Sequence, residues 1–131
     1  MKKVLAVILV LITIWGIIGC SGQNKITKDD IVDKVYVYEK DGLGSDFEIE
    51  INADGTFTYY EGWFSSHSGR GEWSYSDGVL TLFEKVNWNE GEHVVNTYIF
   101  LVEKDTLIFV DKGLGNFLYI KVNNGEKFFA K

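Results

Sequence analysis

The chain predicts an all-β domain: an antiparallel up-and-down meander of about eight to nine strands closed into a barrel, with a two-sheet sandwich as the alternative. Three observations predict it. From Val35 onward, apolar and polar residues alternate with period two in short runs rich in β-branched and aromatic side chains. These runs are separated by connections such as Asn52-Ala53-Asp54-Gly55, Asp77-Gly78 and Asn123-Asn124-Gly125, whose residues accept the positive φ of tight hairpins. The chain has no proline and 14 glycines, so glycine with Asn and Asp must set the turns, and its 15% aromatic content suits a β core. Strands joined by such turns are antiparallel neighbours, and closing the meander hides its edges.

Ahead of the domain, Lys2 and Lys3 precede Val4 to Ile18, an apolar run interrupted only by Thr13 and Gly16. As a helix it would reach about 22 Å, short of the ~30 Å hydrocarbon core of a bilayer. That length fits the apolar region of a signal peptide better than an uncleaved membrane helix. The run ends in Ile17-Ile18-Gly19-Cys20, which resembles the lipobox of bacterial lipoproteins. The resemblance implies cleavage between Gly19 and Cys20 and a diacylglyceryl group on Cys20. Cys20 is the only cysteine, so an exported domain cannot use it for an internal disulfide, and lipidation gives the thiol a purpose. Each buried CH₂ of an acyl chain contributes about 0.8 kcal/mol, so two or three chains anchor firmly.

The expected organisation is therefore a signal peptide over residues 1–19, a lipidated cysteine, tether and short helix over 20–33, and the β domain over 34–131. The expected location is extracytoplasmic, with the membrane held through the lipid at Cys20. Cleavage removes 19 of 131 residues, leaving enough for one domain. It also removes two lysines and no acid, moving the formal charge from −6 to −8. That charge argues against nucleic acid as a partner and holds the domain off anionic head groups.

In the mature chain, Ile26 to Asp33 is the one helix candidate, with Thr27 as N-cap and Asp30 three residues on. The strands expected after it are Lys34 to Glu39, Asp46 to Ile51, Thr56 to Phe64, Arg70 to Ser76, Val79 to Val86, Val94 to Glu103, Thr106 to Asp111, Phe117 to Val122 and Glu126 to Ala130. Phe47, Ile49 and Ile51 alternate with Glu48 and Glu50, and Leu80 and Leu82 with Thr81, which assigns an inner face. The inward set includes Phe57, Tyr59, Trp73, Tyr75, Phe100 and Phe109. The later strands are apolar on both faces, so a cover is expected on their outer side: the Ile26 to Val32 helix, or a second copy of a chain otherwise expected to be a monomer.

The run Gly71-Glu72-Trp73, then Asp77-Gly78-Val79-Leu80-Thr81-Leu82, looks like a unit of small lipocalin-like bacterial lipoproteins, with Asp54-Gly55-Thr56-Phe57-Thr58-Tyr59 in the same style. The resemblance implies a lipocalin-like barrel in a group largely without assigned function. On physical grounds the glycine permits close approach of a neighbouring strand, and the tryptophan fills a barrel end.

Chemistry-bearing patterns are sparse. Glu50, Asn52, Asp54, Gly55, Thr56 and Glu61 fall near EF-hand spacing, but they sit between strand patterns where that site needs helices. His67 and His93 lack partners at metal-ligand spacing and read as loop histidines, so no metal or cofactor is expected. Ser65-Ser66-His67-Ser68 offers hydroxyls beside an imidazole without an orienting carboxylate, and no glutamate pair stands out. An enzyme is not expected. Trp88, in the polar stretch Asn87 to His93, and Trp63 with Phe64 form a candidate rim for a ligand or partner. The expected function is a non-catalytic module binding a small apolar or sugar ligand in or over the barrel. The alternative is a protein-interaction module of the cell envelope, an inhibitor or sensor accessory.

Overall fold

The computed structural model describes residues 24–40, 46–62, 66–88 and 91–131, and of Trp88 the backbone only. Eight antiparallel strands follow one another around a closed barrel: β1 (Lys34–Tyr38), β2 (Glu48–Ile51), β3 (Thr56–Tyr60), β4 (Ser68–Ser76), β5 (Val79–Trp88), β6 (Gly91–Glu103), β7 (Thr106–Val110) and β8 (Lys127–Ala130). The sheet closes between the first and last strands, with Tyr36 opposite Ala130 and Tyr38 opposite Phe128. This is the up-and-down barrel that the alternation predicts, and not the sandwich.

The inner face follows the period-two pattern. Ile49 and Ile51, Phe57 and Tyr59, Leu80 and Leu82, Tyr98 and Phe100, and Leu107 and Phe109 are all buried. The interior along the axis is filled by rings: Phe47 meets Phe128 edge-on at 5.1 Å and Phe117 at 4.6 Å, and Phe117 stacks on Tyr98 at 4.2 Å. Such offset and edge contacts are the favoured arrangements of aromatic quadrupoles.

The two ends are closed differently. At the base, where β4 meets β5 and β6 meets β7, the segment before β1 folds underneath. It was expected as a two-turn helix on the outside of the barrel, and here the structure differs. The helical part is one 3₁₀ turn, Lys28–Asp30, with the Asp30 carboxylate accepting hydrogen bonds from both the backbone N–H and the hydroxyl of Thr27. Eight residues with one cap could not propagate further. Ile31 enters the core, Ile26 packs against it, and the Tyr75 hydroxyl donates to the Ile26 carbonyl at 2.8 Å. Trp73 completes this end: its indole N–H donates to the Asn52 carbonyl at 2.9 Å, and the Lys28 ammonium lies 4.8 Å from the ring centre. The reading of Gly71-Glu72-Trp73 as a structural unit agrees with this. An added Cβ on Gly71 would lie 1.8 Å from the Phe83 carbonyl oxygen, so only glycine permits that approach.

Because the short turn plugs the base, it does not cover the outer faces of β6 and β8, where Leu101 and Phe129 are each 46% exposed.

At the opposite end, the mouth, residues 111–126 form an irregular lid. A strand was expected over Phe117 to Val122, but β7 pairs directly with β8 and leaves it no ladder. Phe117 and Val122 turn into the core while Leu118 and Tyr119 turn out. The Asn116 side chain ties the segment together, accepting from the backbone N–H groups of Phe117 and Val122 and donating to the Val122 carbonyl. The stretch resembling an EF-hand is the β2–β3 hairpin: Asp54 accepts from the Thr56 N–H at 2.9 Å, and Gly55 takes φ +89°.

Candidate functional site at the barrel mouth

Strand direction decides what meets at the mouth. β3 and β5 run toward it and β4 and β6 run away, so the ends of β3 and β5 lie with the starts of β4 and β6. The inward positions nearest this end carry polar groups: Tyr59, Glu61, Glu84, Asn96 and Tyr98. Glu84 is 5% exposed and sits opposite Gly71 on one side and Asn96 on the other. Immediately after it the β5–β6 register shifts, with Glu84 opposite Asn96 but Lys85 opposite Val94. This bulge ends the inward run at the carboxylate and turns Val94 and Val95 both to solvent.

The Glu84 carboxylate is well satisfied. Oε1 accepts from the Tyr59 hydroxyl at 2.9 Å, and Oε2 accepts from the Tyr98 hydroxyl at 2.5 Å and the Asn96 amide at 2.9 Å. Three donors allow a carboxylate to stay in a core where a bare one would be excluded. Burial, and then the hydrogen bond to Glu84, push the Tyr59 and Tyr98 hydroxyls above the ordinary phenol range, so both remain protonated donors. Gly69 makes the arrangement possible: a Cβ there would lie 2.2 Å from the Tyr59 ring and 2.6 Å from Glu84 Oε1.

Glu61, 1% exposed, performs a different task. Its Oε1 accepts the backbone N–H groups of Tyr119 and Ile120, each at 2.9 Å, and so clamps the lid to the end of β3. Its Oε2 is buried with no hydrogen-bond partner, the only such side-chain atom among the described residues, and lies 3.8 Å from His67 Nε2. His67 Nε2 is also 3.2 Å from the Tyr59 hydroxyl. Since the single Tyr59 proton goes to Glu84, the lone pair of that hydroxyl faces His67, which places an N–H on Nε2. His67 stands between the rings of Tyr59, at 5.9 Å, and Tyr119, at 5.7 Å. The result is a continuous chain of groups from Tyr98 through Glu84, Tyr59 and His67 to Glu61.

A depression of about 540 Å³ reaches this chain from outside, lined by His67, Gly69 and Glu84 on its inner side and Thr58, Arg70 and Lys85 on its outer lip. Lys85 is held by Glu72 at 2.8 Å and Glu92 at 3.6 Å. Among the described residues, no group of three or more His, Cys, Asp and Glu is placed to hold a metal ion.

Of the residues singled out in the sequence, Gly19, Cys20, Trp63 and Phe64 lie outside the described residues, and the side chain of Trp88 does too. Trp88 ends β5 at the mouth, and the described neighbours of Trp63 and Phe64, Gly62 and Ser66, lie at the same end. His67 lies in the loop before β4, as expected, but half-buried, with Nε2 3.8 Å from Glu61 Oε2 and 3.2 Å from the Tyr59 hydroxyl, whereas His93, also expected in a loop, is part of β6 opposite Val86. Glu61 entered the sequence reading only as the last member of the EF-hand-like spacing, and Glu84 not at all. Their signal was parity: each extends an inward series, Phe57, Tyr59, Glu61 and Leu80, Leu82, Glu84. In comparisons with protein-family models, curated proteins and solved structures, nothing matches this chain.

Proposed function

We propose that this chain is an exported lipoprotein, anchored through Cys20, whose barrel is a non-catalytic binding module taking a small ligand across its mouth rather than in its interior. The observation that carries this reading is the contrast between the two regions. The axis is occupied by Phe47, Phe117, Phe128 and Tyr98, whereas the mouth holds a buried carboxylate oxygen with no hydrogen-bond partner, 3.8 Å from His67, which lines an accessible depression. Pockets that fix small polar ligands are built from a few such convergent groups. Binding is favoured over catalysis by what the groups do: Glu84 already accepts three hydrogen bonds, and burial keeps the Tyr59 and Tyr98 phenols protonated.

The anchor supports the same assignment. Residues 24–33 lie at the base, so a tether leading to Cys20 leaves from the end opposite the mouth and presents the mouth away from the membrane. Replacing Cys20 with Ser is expected to abolish acyl labelling; retained label on the variant sinks the anchor assignment. For binding, the test is mass spectrometry of small molecules that co-purify with the intact protein and with Glu84→Leu. A molecule retained by the former and lost from the latter supports the module; retention by neither counts against it.

A second reading, a docking surface for an envelope protein, is favoured by one observation. Leu114, Leu118 and Tyr119 are 54–65% exposed on a lid that is otherwise tied down. Clustered exposed apolar side chains mark surfaces that bind other proteins, and tyrosine is among the common anchors there.

A further inference from the structure

We infer that the mouth is a receptor for a protonated amine, with the ammonium group seated against Glu61 in the place that His67 occupies in this structure. This rests on the binding reading above and specifies its ligand class.

The hydrogen-bond inventory points to a donor. Glu61 Oε2 has no hydrogen-bond partner, and the Tyr59 hydroxyl, its proton given to Glu84, offers only a lone pair. The Tyr98 hydroxyl and the Asn96 amide both donate to Glu84. The capacity left over on these groups is acceptor capacity, so a ligand must bring protons. An anion would meet two buried carboxylates.

The surroundings point to a cation. The position lies between the Tyr59 and Tyr119 rings, whose centres are 5.9 and 5.7 Å from that of His67, within the ~6 Å over which an aromatic ring can attract a cation. His67 fills it with an N–H that reaches Tyr59 at 3.2 Å but stops 3.8 Å short of Glu61, beyond hydrogen-bond distance. A primary ammonium is smaller and carries three donors, enough for Glu61 Oε2 and the Tyr59 oxygen together. The His67 side chain is 30% exposed and adjoins the depression, so it has a direction in which to leave. The two cations on the depression belong to its outer lip. Lys85 is engaged by Glu72 and Glu92, and Arg70 alternates outward between the inward Gly69 and Gly71.

The test uses the full-length protein, ¹⁵N-labelled and purified in detergent, with three six-carbon polyols differing in one group: glucamine, sorbitol and gluconate. The Tyr119 and Ile120 amides report directly, because both donate to Glu61. Glucamine is expected to shift both resonances saturably, at least tenfold more tightly than sorbitol, with gluconate weaker still. Glu61→Gln should weaken glucamine at least tenfold. Tyr119→Ala, at an exposed position that tolerates change, should weaken it about two- to fivefold, and this variant decides should Glu61→Gln fail to fold. His67→Ala should leave binding intact or tighten it. Equal binding of sorbitol and glucamine, or tighter binding of gluconate, overturns the amine inference while leaving the binding module standing. Glucamine binding unaffected by both Glu61→Gln and Tyr119→Ala overturns the location. Silence of these amides toward all three probes also overturns the inference, and the co-purification experiment separately judges the module.

Discussion

Phe117 carries the claim that the lid is part of the core. Its ring stacks on Tyr98 at 4.2 Å and meets Phe47 at 4.6 Å and Tyr59 at 5.0 Å, and the residue is 5% exposed. Replacing it with alanine removes these contacts and leaves a void walled by three rings, Tyr59 and Tyr98 fixed on their strands and Phe47 just before β2. Phe→Ala in a core costs about 3–5 kcal/mol, with the lower figure applying where the surroundings collapse. The lid is irregular backbone and can sink partway, so about 3 kcal/mol is expected. At about 4 °C per kcal/mol for a domain of this size, the melting temperature falls by about 12 °C. Guanidinium unfolding measures the loss directly, with Leu118→Ala as the neighbouring control: Leu118 is 65% exposed and should change stability by no more than about 0.5 kcal/mol. Since an apolar void admits benzene, added benzene should restore part of the stability of Phe117→Ala alone. A loss below about 1 kcal/mol, or one equal to that of the Leu118 variant, would refute the lid's place in the core.

Gly71→Ala should prevent folding, because its Cβ meets backbone at 1.8 Å, whereas Gly78→Ala, at φ +80° with open space around it, should cost only about 1 kcal/mol; soluble yield and unfolding midpoints separate the two. The Tyr36 hydroxyl is pushed up to about 12 by burial, then by Asp105 and Asp30, and Tyr59 and Tyr98 are also raised, so their contribution to stability is complete below about pH 10, the unfolded phenol value, and is lost as pH rises beyond it. Absorbance at 295 nm should show these phenols ionising together with unfolding; ionisation of every tyrosine near pH 10 with the fold intact would count against their burial. Burial alone would raise the Glu126 carboxyl, but hydrogen bonds from Lys40, Tyr38 and Asn123 outweigh it and hold it at about 2. That stability is present above about pH 4.5 and disappears toward pH 2, and Glu126→Gln should flatten this acid limb in a pH series of unfolding midpoints.

Local pattern carried the strand order, the inner face and the role of Gly71 and Trp73, because alternation and tight turns are written in neighbouring residues. Two elements were misread for one reason. Ile26 to Asp33 and Phe117 to Val122 have apolar content that suits a helix or a strand, yet each spends it plugging an end of the barrel, through Ile31 and Phe117. Whether a segment lies along a barrel or across its opening depends on partners far off in the chain. Glu61 shows the same limit: the amides it holds are 58 and 59 positions away, and nothing near it announces them. Parity did place Glu61 and Glu84 inward. Acidic side chains at inward positions are the residues that such a reading should stop on.

The pairing of β1 with β8 bears on when the chain can fold. Tyr36 and Ala130, partners across the seam, stand 94 positions apart, so the barrel cannot shut until its last strand is available. Contacts of such long sequence separation carry a large chain-closure cost and make folding slow. For a protein threaded through an export channel from its N-terminus, as proposed above, this delay is useful. On that proposed route the seam would act as a timer: the emerging polypeptide would stay open and transportable, and the fold would be sealed only after Phe128 and Ala130 had crossed.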